Sequence, residues 1–84
     1  MNKLELKDTI ELMNSEDYKD RFKAEYLQTK IRYEKLKKIT TKYEAGTLDF
    51  EPKCGLDLLK NQQASMGEYL HFLEVRAEIE KIEL

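Results

Sequence analysis

The stretch Gly46-Thr47-Leu48-Asp49-Phe50-Glu51-Pro52-Lys53-Cys54-Gly55 holds two of the chain's 3 glycines and its 1 proline. On either side of it the helix-breaking residues almost vanish. From Asn14 to Ala45 there is neither glycine nor proline, and from Leu56 to Leu84 a single glycine, Gly67, interrupts. Two long helices joined by one loop is the economical solution. This is the antiparallel helical hairpin, all-α, with the loop at 46–55 and the helices at about 15–45 and 56–82.

Each helix carries an apolar stripe that fits this geometry. On the first, Phe22, Tyr26, Thr29, Tyr33, Leu36, Thr40 and Tyr43 alternate at spacings of 4 and 3, with Ala24, Leu27, Ile31 and Ile39 alongside. Asn14 or Ser15 is the expected cap, with Glu16 and Asp17 in the first turn, where the helix dipole favours negative charge. Lys42 lies in the last turn, and Gly46 stands where a left-handed residue closes a helix. Some 30 residues at about 1.5 Å each make a rod on the order of 45 Å long.

The second stripe reads Leu59, Gln63, Met66, Leu70, Leu73 and Ala77, flanked by Leu56, Tyr69, Phe72 and Ile79. Gly67 costs about 1 kcal/mol of helix propensity relative to alanine. It reads either as a tolerated surface glycine or as a point of close approach for another helix. A short helix at about 9–13 precedes the hairpin, using Ile10, Leu12 and Met13, with Asp8 or Thr9 as its cap. Leu4 and Leu6 are expected over the end of the hairpin. The apolar positions spread wider than a two-helix seam, so these shoulders require the N-terminal segment or a second copy of the chain as cover. A homo-oligomer is the expected state.

Composition narrows the classes. The 84 residues make one small domain, and a chain of this length buries about 60–65% of its unfolded surface. There is no apolar run of about 18 residues to span a membrane. Lys3, Glu5, Lys7 and Asp8 break any secretory signal at the start, so the expected location is cytoplasmic. One cysteine, Cys54, and one histidine, His71, supply neither an internal disulfide nor a zinc set, and no cofactor is implied.

The net charge of −2 hides a segregation. Residues 19–43 hold nine Lys and Arg against three Asp and Glu, a balance of +6, whereas 1–18 and 64–84 each stand at −3. One reading is complementarity within and between subunits, a basic helix beside an acidic one. The other is a site for an anionic ligand. Tyr26, Tyr33 and Tyr43 interleave with the lysines, and tyrosine rings stack on bases while Lys and Arg neutralise phosphates. The tyrosines also suit the rim of a helix seam, ring inward and hydroxyl in water. The acidic flanks and the lack of a reader motif argue against duplex nucleic acid.

Catalysis finds no constellation. His71 has no serine or cysteine at triad spacing, Cys54 reads as a loop cysteine, and Glu74, Glu78, Glu80 and Glu83 read as a solvated face without a metal-binding loop. The chain reads as a non-enzyme.

Four segments carry a resemblance. They are Met13 through Tyr26, Tyr33-Glu34-Lys35-Leu36, Tyr43 through Phe50, and Leu58 through Ala77. Over roughly residues 9–84 they resemble a family of small helical proteins of bacteriophages and prophages of Gram-positive bacteria. The run from Gln63 to Met66, then Leu70, Leu73, Arg76 and Ala77, is similar to the hairpin of phage proteins that sequester cyclic-nucleotide signals of CBASS and Thoeris immunity. That resemblance implies a counter-defence protein of the infected host's cytoplasm. It would hold a signalling nucleotide at subunit interfaces without hydrolysing it. Tyr26, Arg32, Tyr33, Lys35 and Arg76 are the candidate ligand-binding residues, as stacking rings and phosphate partners. The alternative is a protein–protein inhibitor of a host defence effector such as a CRISPR nuclease, working through acidic ends or an apolar helix face. A third reading is a phage accessory or assembly protein with no ligand.

Overall fold

In a computed structural model, which describes residues 4–84, the chain is the expected helical hairpin with a short N-terminal helical segment. A 3-10 turn at Leu6–Thr9 leads into the short helix α1 (Ile10–Met13). The long helices are α2 (Tyr18–Ala45) and α3 (Leu56–Glu80). No strand forms among the described residues, and no helix there is long and apolar enough to cross a membrane. The molecule measures 43 × 24 × 23 Å, the long axis matching the 28 residues of α2. Its radius of gyration of 15.0 Å exceeds the roughly 12 Å of a compact chain this long.

The ends of the helices are set by local chemistry. Helix α2 starts three residues later than expected, because Asp17, and not Asn14 or Ser15, is its cap. The Asp17 carboxylate accepts the Lys19 N–H at 2.9 Å. Ser15 supports that cap from outside: its hydroxyl accepts the Asp17 N–H and donates to Asp20 at 2.8 Å. At the other end, Gly46 adopts φ 75°, as expected. Its N–H donates to the Tyr43 carbonyl, and that of Thr47 to the Lys42 carbonyl, the paired bonds of a Schellman closure.

Helix α3 closes in the same way at Glu80, two residues before the expected end, but with a lysine in the glycine position. Lys81 takes φ 58° so that the Ile82 N–H reaches the Ala77 carbonyl at 2.8 Å. Ile82 and Ala77 are both buried, which offsets the strain of a left-handed side-chain-bearing residue.

The enclosed core sits at the end of the hairpin away from the loop. Phe22 and Tyr26 of α2 meet Leu70, Leu73 and Ala77 of α3, with Ile82 beneath and Leu27 and Tyr33 packed against the cluster. Toward the loop the seam thins. There Leu36, Tyr43, Leu56, Leu59 and Met66 are half-buried, and the Thr40 hydroxyl, itself buried, donates to Gln63 Oε1 across the seam at 2.5 Å.

The N-terminal segment departs from the expected arrangement. It packs along the flank of α2, and neither the 3-10 turn nor α1 makes a close approach to α3, so Leu6 does not cover both helices at the hairpin's end, and Leu4 is exposed. Its buried residue is Thr9; Ile10 and Met13 are exposed and Leu12 is half-buried. Thr9 Oγ1 donates to the Leu6 carbonyl at 2.7 Å and accepts from Gln28 Nε2 at 2.8 Å. The 3-10 turn is capped by Asp8, whose carboxylate accepts the Glu5 N–H. Ala24, on the side of α2 opposite Phe22 and Tyr26, is fully buried by this arrangement. The N-terminal segment thus covers one shoulder of α2. Among the described residues nothing covers the shoulders of α3, where Tyr69, Phe72 and Ile79 are exposed.

Candidate functional site

Tyr26 and Tyr33 stand two turns apart on the side of α2 that faces α3, and they meet different surroundings. The Tyr26 ring belongs to the core, and its hydroxyl donates to Glu74 Oε2 at 2.7 Å. Burial, that hydrogen bond and the negative charges of Glu74 and Glu34 push the phenol up to about 12. Lys30 Nζ lies 5.7 Å from the centre of the ring. The nearby surface depression is edged by Glu74, Glu78 and Glu83. Its negative potential opposes a phosphate.

Tyr33 is half-buried, and its ring crosses α3 at Gly67. A Cβ built on Gly67 would stand 3.3 Å from Tyr33 Cε1 and 3.6 Å from its hydroxyl. Gly67 is therefore a point of close approach and not a tolerated surface glycine. The sequence left that choice open, because which helix face Gly67 occupies relative to α2 depends on how the two helices dock.

Beyond Tyr33 an open depression of about 420 Å³ runs along α2, lined by Tyr33, Glu34, Lys37, Lys38, Thr41 and Lys42. It combines one aromatic ring with three ammonium groups and one carboxylate, that of Glu34, a net balance of +2. Lys37, at +4, stands on the Tyr33 side of α2, whereas Lys38 and Lys42, at +5 and +9, stand about 140° and 180° around the helix, so the depression wraps from Tyr33 around one flank.

The five candidate residues do not form one cluster within a single chain. With about 100° of rotation per residue, Arg32 leaves α2 on the opposite flank from Glu34, and Lys35 on nearly the far side from Tyr33. Both are exposed. Arg76 is engaged at the core end of the hairpin. Its guanidinium lies 4.9 Å over the Phe22 ring, donates to the Tyr18 hydroxyl at 2.9 Å and stands 3.5 Å from Glu80. Tyr18 in turn meets Phe22 edge-on.

Electrostatically, the pairing of a basic helix with an acidic one does not form within the chain. Among the described residues the ion pairs are Lys7 with Glu5, Lys60 with Glu44, and Arg76 with Glu80. The single pair between α2 and α3 runs the other way, with the carboxylate on α2. None of the nine basic side chains of 19–43 takes part in one. Three of them, on the rim of the Tyr33 depression, give it a positive potential that a bound anion would neutralise.

His71 and Cys54 are exposed. Among the described residues no three His, Cys, Asp or Glu side chains converge closely enough to hold a metal ion. The arrangement thus offers stacking and charge neutralisation.

Neither a curated protein nor a solved structure matches the chain. A family model does, that of Sequestin, over residues 16–79, from the turn before α2 to the last turn of α3. The match takes in the whole hairpin and most of the chain, and the protein belongs to the Sequestin family.

Proposed function

We propose that this protein is a non-enzymatic, phage-encoded counter-defence protein that sequesters a nucleotide-derived immune signal in the infected cell. The observation that carries the reading is the set of unpaired lysines beside Tyr33, on a chain whose family name denotes sequestration. In this reading Tyr33 stacks on a base or a comparable flat ring, and Lys37, Lys38 and Lys42 take the phosphates. Arg32, on the other flank, and Lys35, on the side of α2 away from Tyr33, add to the positive field that draws an anion in. Tyr26 is then a support for the hairpin and not a contact. Arg76 would serve a ligand only by sharing its guanidinium with Tyr18 and Glu80. The depression is open along one side, and a second copy closing over it would hold the ligand between subunits.

Calorimetric titration with a panel of cyclic nucleotides and ADP-ribose derivatives tests this. One member of the panel is expected to bind. Tyr33→Ala, and the double change Lys37→Glu with Lys38→Glu, should each weaken that binding at least tenfold, and added salt should weaken it in the wild type. No heat from any member of the panel, with the protein folded, refutes the reading. In the alternative reading the protein inhibits a host defence effector directly. That reading is supported instead if a host protein is captured and the capture is lost on charge reversal at Glu74, Glu78 and Glu80.

A further inference from the structure

The outer face of α3 carries a second apolar repeat that the hairpin does not use. Leu58, Ser65, Phe72 and Ile79 follow one another at intervals of seven residues, the spacing that keeps one line of side chains facing a partner helix. Tyr69 and Val75 border the line. All of the apolar members are exposed: Leu58 by 59%, Phe72 by 57% and Ile79 by 75%. The core-facing line on the same helix, Leu59, Met66, Leu70, Leu73 and Ala77, is separate from it.

We infer that this face pairs with the same face of a second copy, α3 against α3 in antiparallel orientation about a two-fold axis. Two observations name a second copy as the occupant. The first is area. The chain exposes 6618 Å², whereas a compact monomer of 10.0 kDa exposes about 5,200 Å². The five apolar side chains of the face account for roughly 550 Å² of that surface, taking ~200 Å² for each when fully exposed. Two such faces bury about 1,100 Å², just above the roughly 1,000 Å² that a specific interface must clear.

The second is self-complementarity. Centred between Glu68 and Tyr69, an antiparallel pairing sets Phe72 against the partner's Ser65, and Leu58 against the partner's Ile79. Large meets small in one layer, and aliphatic meets aliphatic in the other, as close packing of a helix seam requires. About the two-fold axis the flanking positions set Asn61 beside the partner's Val75, Gln62 beside the partner's Arg76 and Tyr69 beside the partner's Tyr69. The one like-charge contact, Glu68 with the partner's Glu68, lies at the axis on the exposed edge of the seam. A parallel pairing would instead set serine against serine, leave a gap beside two crowded phenylalanines, and align the helix dipoles unfavourably. The antiparallel pairing leaves both basic faces of α2 outward, accessible to a ligand or to a second dimer.

This pairing rests on the fold and on the repeat, and it stands whether or not the protein binds a nucleotide. Sedimentation of the full chain over about 1–100 μM is expected to give twice the chain mass. Phe72→Glu and Ile79→Lys change residues that touch little in the single chain. Each should return the protein to a monomer with its helical circular dichroism intact. Cross-linking fixes the orientation, with exposed Cys54 first changed to serine. Ser65→Cys combined with Phe72→Cys should form covalent dimers on oxidation, whereas Ser65→Cys alone should not. A wild-type monomer throughout the concentration range overturns the inference and leaves the face for a different partner. A dimer indifferent to both charge substitutions overturns it as well, and efficient cross-linking by Ser65→Cys alone replaces the antiparallel register with the parallel one.

Discussion

Replacing Tyr26 by phenylalanine isolates the hydrogen bond that ties the two long helices together at the core. The ring is 7% exposed and would stay in place; what disappears is the 2.7 Å bond from the phenol to Glu74. A hydrogen bond to a charged acceptor contributes about 1.5–3 kcal/mol net. Glu74 is exposed, however, and regains water when its partner is lost, so the expected cost at neutral pH is about 1 kcal/mol. For a domain of this size that lowers the Tm by roughly 4–8 °C.

The pH dependence is the sharper signature. In the unfolded chain the phenol titrates at its ordinary value of 10.0, whereas in the fold burial, then Glu74, raise it to about 12. A raised value means that the fold prefers the protonated phenol. The contribution is therefore complete below pH 10 and is lost as the pH rises from 10 to about 12. At about 1.4 kcal/mol per unit, the loss is on the order of 2–3 kcal/mol. Phenylalanine has no such proton to lose.

Urea denaturation of both proteins at a series of pH values measures the difference directly. Lysine deprotonation and other alkaline effects are shared and cancel. The wild type should be the more stable by about 1 kcal/mol at neutral pH and the less stable above pH 11. A difference that stays constant from pH 8 to 12 would refute the reasoning. Glu74→Gln, which keeps an acceptor and removes the charge, should shrink the alkaline loss without abolishing it.

Four further expectations concern three positions where the structure is tight, strained or polar. Lys81→Gly relieves the left-handed residue that ends α3 and should raise stability by about 0.5–1 kcal/mol in urea, after the extra freedom of glycine in the unfolded chain is counted. Gly67→Ala should be nearly neutral, because a helix gain of about 1 kcal/mol meets a 3.3 Å contact with Tyr33. Gly67→Leu should displace the Tyr33 ring, visible in the near-ultraviolet circular dichroism, and weaken ligand binding with it. Thr40→Val leaves Gln63 without its partner across the seam and should cost about 1 kcal/mol, most of it recovered when Gln63→Leu is added.

The helices themselves were legible because their signals are local. A run without glycine or proline, 4-3 spacing of apolar residues and Gly46 at a helix end each act within a turn or two of chain. The start of α2 was misplaced by three residues because Asn14, Ser15 and Asp17 are all competent caps. The choice among them turns on a network in which Ser15 serves Asp17 and Asp20. The end of α3 was missed for a related reason. A lysine gives no warning of a left-handed conformation, which here is held by burial of Ile82 against the helix it closes.

The candidate site was less legible than the fold. Counting charge located the basic segment at 19–43, and counting rings located Tyr26 and Tyr33. Neither count says which tyrosine is swallowed by the core or which lysines share a flank with the other. Lys37, Lys38 and Lys42 follow Tyr33 around one flank of α2, whereas Arg32 leaves on the opposite flank and Lys35 lies outside the depression, because the docking of α3 fixes which flank remains open. Arg76 looked like a free cation in sequence and is held by Phe22, Tyr18 and Glu80 across the fold.

By itself, then, the sequence determined the two rods, the turn between them and the segregation of charge, all properties of neighbours along the chain. Tertiary structure alone decided that Gly67 admits Tyr33, that Tyr26 is spent on Glu74, and that the N-terminal segment covers α2 while α3 keeps an apolar face open. Those outcomes depend on the rotation of one helix against another. Small differences in packing among many weak contacts fix that rotation, and no short stretch of sequence encodes it.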